Sequence, residues 1–122
     1  MSLSDISVKT LEQPTGMAQA LLHELLDALQ LLADSGTSNA IDLRSLPLTE
    51  ADTAQLAELL GKGELSARID SIGHSQVQET SYSGIWWISH YGGDGELLAE
   101  ILEITTVPQL LVSHADDIRY AV

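Results

Sequence analysis

Residues 84–104 read GIWWISHYGGDGELLAEILEI, two apolar runs on either side of a glycine-rich turn. Apolar runs separated in this way predict a β-hairpin. Successive side chains on a strand point to opposite faces of the sheet, so Trp86 and Trp87 need cover from different layers. An even loop at GGDG, residues 92–95, pairs Tyr91 with Glu96, His90 with Leu97 and Trp86 with Ile101. Trp86, Ile88, Leu97, Ala99 and Ile101 then share one face, and Ile85, Trp87, Tyr91, Leu98, Glu100 and Leu102 share the other. Neither face is polar, whereas an antiparallel sheet with one wet side alternates apolar and polar residues.

Upstream of the hairpin the period is also two. ELSARID places Leu65, Ala67 and Ile69 on one face, SIG turns, and HSQVQETSYS makes a more polar strand expected near an edge. Four successive strands with short turns predict an antiparallel meander. Earlier still the period is helical. Ala18, Leu21, Leu22, Leu25, Leu29 and Leu32 mark a helix with Thr15 as its expected N-cap and DSG, residues 34–36, as its stop. IDLRSLP reads as an extended link. LTEADTAQLAELLGKG reads as a second helix capped by Thr49, carrying Glu50 and Asp52 in its first turn and ending at Gly61 and Gly63. After Pro108, QLLVSHADDIRYAV suggests a short helical turn and a tail, and residues 1–14 read as flexible.

The expected class is therefore α+β in a single domain, residues 1–122. Two N-terminal helices pack on one face of a four-stranded antiparallel meander, followed by a short C-terminal helical turn. The Trp86 face is the natural seat for the helices. That leaves Ile85, Trp87, Tyr91, Leu98, Glu100 and Leu102 as a candidate partner-binding face, to be covered by the C-terminal tail, the N-terminal segment, a second copy in a homodimer or another protein. Burying one large apolar side chain contributes roughly 1.5–3 kcal/mol, so several left in water would forfeit much of a domain's stability.

Charge and composition narrow the function. With 18 acidic against 5 basic side chains the formal charge is −13, which repels nucleic-acid phosphates and anionic headgroups. The apolar runs are too short to span a bilayer, and MSLSDISVKT lacks a basic segment followed by an apolar core. A cytoplasmic protein is expected, and the absence of cysteine removes disulfides, thiolate metal sites and a cysteine nucleophile. His23, His74, His90 and His114 match no metal-binding or catalytic spacing. His74 with Glu79 and His90 with Asp94 would make an oxygen/nitrogen metal or ligand site if their strands adjoin. No catalytic residue, cofactor or resident metal is assigned.

Three stretches together resemble the C-terminal module of the HupH/HyaF hydrogenase expression proteins, over about residues 41–118. They are LPLTEAD…LAELLGKGELSA, the strand around ET…GIWW, and EILEITTVPQLL with its Val-Pro step. Gly84, Trp86, Trp87 and Glu79 are the motif positions this resemblance marks as interaction or structural residues. It implies a non-catalytic, cytoplasmic accessory protein of [NiFe]-hydrogenase maturation. Its partner would be a hydrogenase subunit precursor, the iron–sulfur-carrying small subunit foremost, or another maturation factor. The alternative is a small metal- or ligand-binding protein using His74, His90 and nearby carboxylates.

Overall fold

The computed structural model describes residues 13–113 and 118–120. In chain order it contains α1 (Met17–Ser35), β1 (Asn39–Asp42), a 3-10 turn (Leu43–Ser45), α2 (Glu50–Leu60), β2 (Ser66–Asp70), β3 (His74–Glu79), β4 (Ile85–Tyr91), β5 (Leu97–Ile104), α3 (Gln109–Ser113) and β6 (Ile118–Tyr120). The strands form one antiparallel sheet in the order β1-β5-β4-β3-β2-β6. The expected four-strand meander is its centre, with β1 and β6 added at the edges. β3 is consequently an interior strand, not a near-edge one, and its polar side chains owe nothing to an edge position.

Local chemistry sets the helix ends. Thr49 and Asp52 form a reciprocal capping box on α2: the Asp52 N–H donates to the Thr49 hydroxyl, and the Thr49 N–H donates to the Asp52 carboxylate. Gly61 closes α2 at φ 66°, and Gly36 closes α1 at φ 72° with its N–H on the Leu32 carbonyl at 2.9 Å. The start of α1 differs from expectation, because Gly16 and not Thr15 is the N-cap. Thr15 is drawn away by the fully buried Asp52, to which it donates from both its N–H (2.6 Å) and its hydroxyl (2.8 Å). Burial opposes the charge on Asp52, but hydrogen bonds from Thr15 and Thr49 outweigh that cost and hold its carboxyl below the ordinary carboxylate value. One side chain thus joins the start of α1 to the cap of α2.

The hairpin register departs from the even-loop expectation. Trp86 lies opposite Glu103, Trp87 opposite Leu102 and His90 opposite Ala99, two positions further along β5 than expected. The loop, residues 92–96, holds five residues and is closed by the Gly92 N–H on the Glu96 carbonyl at 2.8 Å. Such an odd loop would invert the two faces. A bulge restores them: Tyr91 pairs with Leu97, leaving Leu98 as an extra residue on β5. Trp86 and Ile88 therefore share a face with Ala99 and Ile101, as expected, while Leu97 moves opposite Tyr91.

The seat of the helices is the reverse of that expected. α1 and α2 pack on the Trp87 side, where Leu21, Leu25, Leu43, Leu56 and Leu60 bury Ile85, Leu102 and Ile104, with Trp87 at the margin. The cause lies in β1, which brings Ile41 opposite Leu102 and widens the aliphatic surface at that end of the sheet. Gly84 lets the helix come close. Its φ is 99°, and a Cβ there would stand 2.8 Å from Leu29 Cδ1 and 3.3 Å from Leu32 Cδ2. The Trp86 side has its own smaller cluster, Ala67, Val77, Trp86 and Ile88, against which Leu65 and the α3 side chains Leu110 and Leu111 pack. Trp86 is further fixed by its indole N–H on the Thr105 carbonyl at 2.9 Å.

Candidate partner-binding cleft

Cross-strand rows on the Trp87 side show what the helices leave open. One row runs Ser66, Gln78, Trp87, Leu102, Ile41 across β2-β3-β4-β5-β1, and the next runs Arg68, Gln76, Ser89, Glu100 across β2-β3-β4-β5. The first grades from polar at β2 and β3 to apolar at the helix-covered strands, whereas the second stays polar throughout and ends on Glu100. The two helices cover the aliphatic half and stop short of the other.

Where they stop, a cleft of about 250 Å³ lies between the end of α2 and the sheet. Ala57, Gly61 and Lys62 form its wall, and Gln76, Gln78, Trp87 and Ser89 its floor. Two floor residues are firmly held. The Gln78 amide donates to the Glu79 carbonyl at 2.8 Å, and the Trp87 indole N–H donates to Glu100 Oε2 at 3.1 Å. Ser89 is only 8% exposed, yet its hydroxyl has no hydrogen-bond partner among the described residues. The hydroxyl is open to the cleft, and the buried side-chain polar atom without a partner among the described residues is Gln55 Oε1 on α2, which does not line it.

The six residues expected to form a partner face separate into two groups. Ile85 and Leu102 are fully buried beneath the helices. Trp87, Tyr91 and Glu100 are half-buried, and Leu98 is 59% exposed on its bulge. Tyr91 stacks on His74 with ring centroids 4.5 Å apart. Of the marked motif positions, Gly84 and Trp86 serve packing, Trp87 borders the cleft, and Glu79 is half-buried on β3. Sequence reading missed Ser89 and Gln76. Their parity with Trp87 was available, but the helix edge that makes a cleft above them was not.

The structure does not bring His74 and His90 together. β3 and β4 do adjoin, but His74 pairs with Tyr91 and Ser75 pairs with His90, so the two imidazoles point to opposite faces. His90 Nδ1 is hydrogen-bonded to the Ser75 hydroxyl at 2.6 Å, His23 is exposed on α1, and His114 lies outside the described residues. Among the described residues no three His, Asp or Glu side chains are grouped to hold a metal ion. No helix among them is long and apolar enough to cross a membrane.

Comparison with known proteins accounts for the same residues. The family described as HupH hydrogenase expression protein, C-terminal conserved region, matches residues 16–122, so the conserved region extends through α1, upstream of residue 41. Hydrogenase expression/formation protein HoxQ of Azotobacter vinelandii is 32% identical over 111 residues, covering 88% of this chain and 39% of that protein. Hydrogenase-1 operon protein HyaF of Escherichia coli strain K12 is 28% identical over 98 residues, covering 80% of this chain and 34% of that protein. The solved structure of hydrogenase expression protein HupH from Thiobacillus denitrificans superposes with a TM-score of 0.77 at 34% identity, covering 85% of this chain and 92% of that one. The chain spans less than two-fifths of the length of these curated relatives. Sequence, cap chemistry and sheet topology thus converge, and the chain belongs to the HupH/HoxQ/HyaF family of hydrogenase expression/formation proteins as its C-terminal conserved region.

Proposed function

We propose that this chain is a non-catalytic, cytoplasmic accessory module of hydrogenase maturation that holds a hydrogenase subunit precursor, the small subunit foremost. The surface proposed for that contact is the Trp87 cleft and the open polar half of the same sheet face, with Tyr91, Leu98 and Glu100 along its border. The observation carrying this reading is the cleft itself, where the helix layer ends and leaves a half-buried tryptophan beside the polar side chains of Gln76, Gln78 and Ser89. Family membership supplies the hydrogenase context. A homodimer has less to gain from this face, because Ile85 and Leu102 are already covered within one chain.

The test is affinity capture from cells expressing a hydrogenase operon, using the native chain, Trp87→Ala and Gln76→Arg. Circular dichroism and thermal unfolding would verify that each variant folds. Gln76 is exposed and its side chain is not part of the packed core, so Gln76→Arg should leave the fold intact. The reading expects a hydrogenase subunit with the native chain and markedly less with folded variants. Equal recovery by the native chain and Gln76→Arg would overturn the assignment of this surface.

A further inference from the structure

Given the reading that this sheet face docks a partner, its charges narrow what that partner presents. We infer that an acidic, extended segment of the partner protein lies in a groove across β3, its carboxylates held between Lys62 and Arg68.

The cleft continues beyond Gln76 and Gln78. A second hollow, of about 180 Å³, shares those two residues and extends over β2, where Ser66 and Arg68 line it. Together they make a groove from Lys62 at the end of α2 to Arg68 on β2, with amides and hydroxyls between. No aspartate or glutamate lines either part, although the chain carries 18 acidic side chains. Two of its five cations do. A third, Arg119 on β6, is paired in register with Arg68. Like charges directly opposed on neighbouring strands are destabilising, so this edge of the groove favours the arrival of negative charge.

Both lining cations have donors to spare. Lys62 is exposed and forms no ion pair among the described residues, not even with Glu58 one turn earlier on α2. Arg68 gives its Nε–H to Asp70 at 2.8 Å, and its terminal nitrogens make no hydrogen bond among the described residues. Those nitrogens suit a second carboxylate. Glu100, the other acid on this sheet face, holds the Trp87 indole N–H and lines neither part of the groove. The formal charge of −13 opposes an acidic segment at long range. With a Debye length of about 8 Å in physiological salt, however, a carboxylate seated in the groove responds to Lys62 and Arg68 before the acids elsewhere. At about 250 and 180 Å³ each part is below the roughly 300–1,000 Å³ usual for small-molecule sites. Successive side chains of an extended segment fit such a pair of hollows better than one compact ligand.

The experiment titrates 15N-labelled protein, in about 150 mM salt, with Ac-Gly-Glu-Leu-Glu-Gly-NH2 and its Gln and Lys analogues. Amide shifts at Ser66, Gln76 and Gln78 and the Trp87 indole N–H are followed. The Glu peptide is expected to move these signals and to bind about tenfold more tightly than the Gln peptide. Lys62→Met and Arg68→Met should each weaken it about threefold, and the nearly isosteric Gln76→Glu should weaken it as well. Arg44→Met removes a cation that lies outside the groove, bonded to the Leu97 carbonyl, and should leave the affinity unchanged. Lys62 has no ion pair to lose, so Lys62→Met changes charge without disturbing the fold. Gln or Lys peptides binding as tightly as the Glu peptide, no loss in Lys62→Met, an equal loss in Arg44→Met, or no shift with any peptide at millimolar concentration would each overturn the inference. Sedimentation showing a dimer that Lys62→Met dissociates would also overturn it, by giving the groove to a second copy. Gln76→Arg obstructs the groove by bulk, whatever charge the partner carries. If it still abolishes hydrogenase-subunit capture while the peptides show no charge preference, the docking reading survives and the acidic segment does not.

Discussion

Replacing Gly84 with alanine tests how α1 is seated on the sheet. Gly84 is buried at φ 99°, where an L-residue pays about 1–2 kcal/mol for left-handed backbone. The new methyl group would also stand 2.8 Å from Leu29 Cδ1 and 3.3 Å from Leu32 Cδ2, both on α1. Real contacts are not that short, so the leucines must shift or the helix must lift, at about 1–3 kcal/mol. The total, roughly 2–5 kcal/mol, is a large fraction of the 5–15 kcal/mol that ordinarily separates folded from unfolded chains. Gly36→Ala is the control. It has a similar backbone angle, φ 72°, but no atom within 4 Å of the added carbon, so only the backbone penalty applies. Urea unfolding monitored by far-ultraviolet circular dichroism gives both values. Gly84→Ala should lose clearly more stability than Gly36→Ala at an unchanged denaturant slope. Equal losses would mean that α1 does not press against the start of β4.

Two further outcomes follow from the packing. Asp52 titrates below the ordinary carboxylate value when folded, so its contribution is complete above that value and is lost as pH falls through the lower folded one. Thermal unfolding between pH 6 and pH 2 should therefore show a loss of stability below about pH 4 that Asp52→Asn reduces, and parallel curves for the two proteins would refute this. The tryptophans report on their separate layers. Acrylamide should quench Trp87 in Trp86→Phe more readily than it quenches Trp86 in Trp87→Phe, since Trp86 is 6% exposed beneath α3 and Trp87 borders an open cleft. The opposite order would contradict the assignment of layers.

Much of the fold was legible in single residues. Thr49, Gly36 and Gly61 marked helix ends through chemistry confined to one turn, and the alternation around Ala67, Ile69 and Val77 marked strands. The edge strands were not legible, because four residues in β1 and three in β6 are too few to display a period. The helix seat was misread for a related reason. With both hairpin faces apolar, the choice rested on Ile41 and Ile104, and the contribution of Ile41 depends on the long-range pairing of β1 with β5. Thr15 was a reasonable cap until a buried carboxylate 37 residues away claimed it. At the site, Trp87 and Glu100 stood out by residue type and were correctly placed on one face. Ser89 and Gln76 carried no such signal, because a serine or glutamine on a strand is noteworthy only when something beside it ends.

On the proposed function, a hydrogenase subunit precursor docks where the helix layer stops. Site-specific photo-crosslinking measures this directly, with p-benzoylphenylalanine at Gln76 in the cleft or at Leu31, 47% exposed on α1, in cells assembling a hydrogenase. An adduct containing a hydrogenase subunit precursor is expected from position 76 and none from position 31. Adducts from position 31 with none from position 76, or no subunit adduct from either, would contradict it.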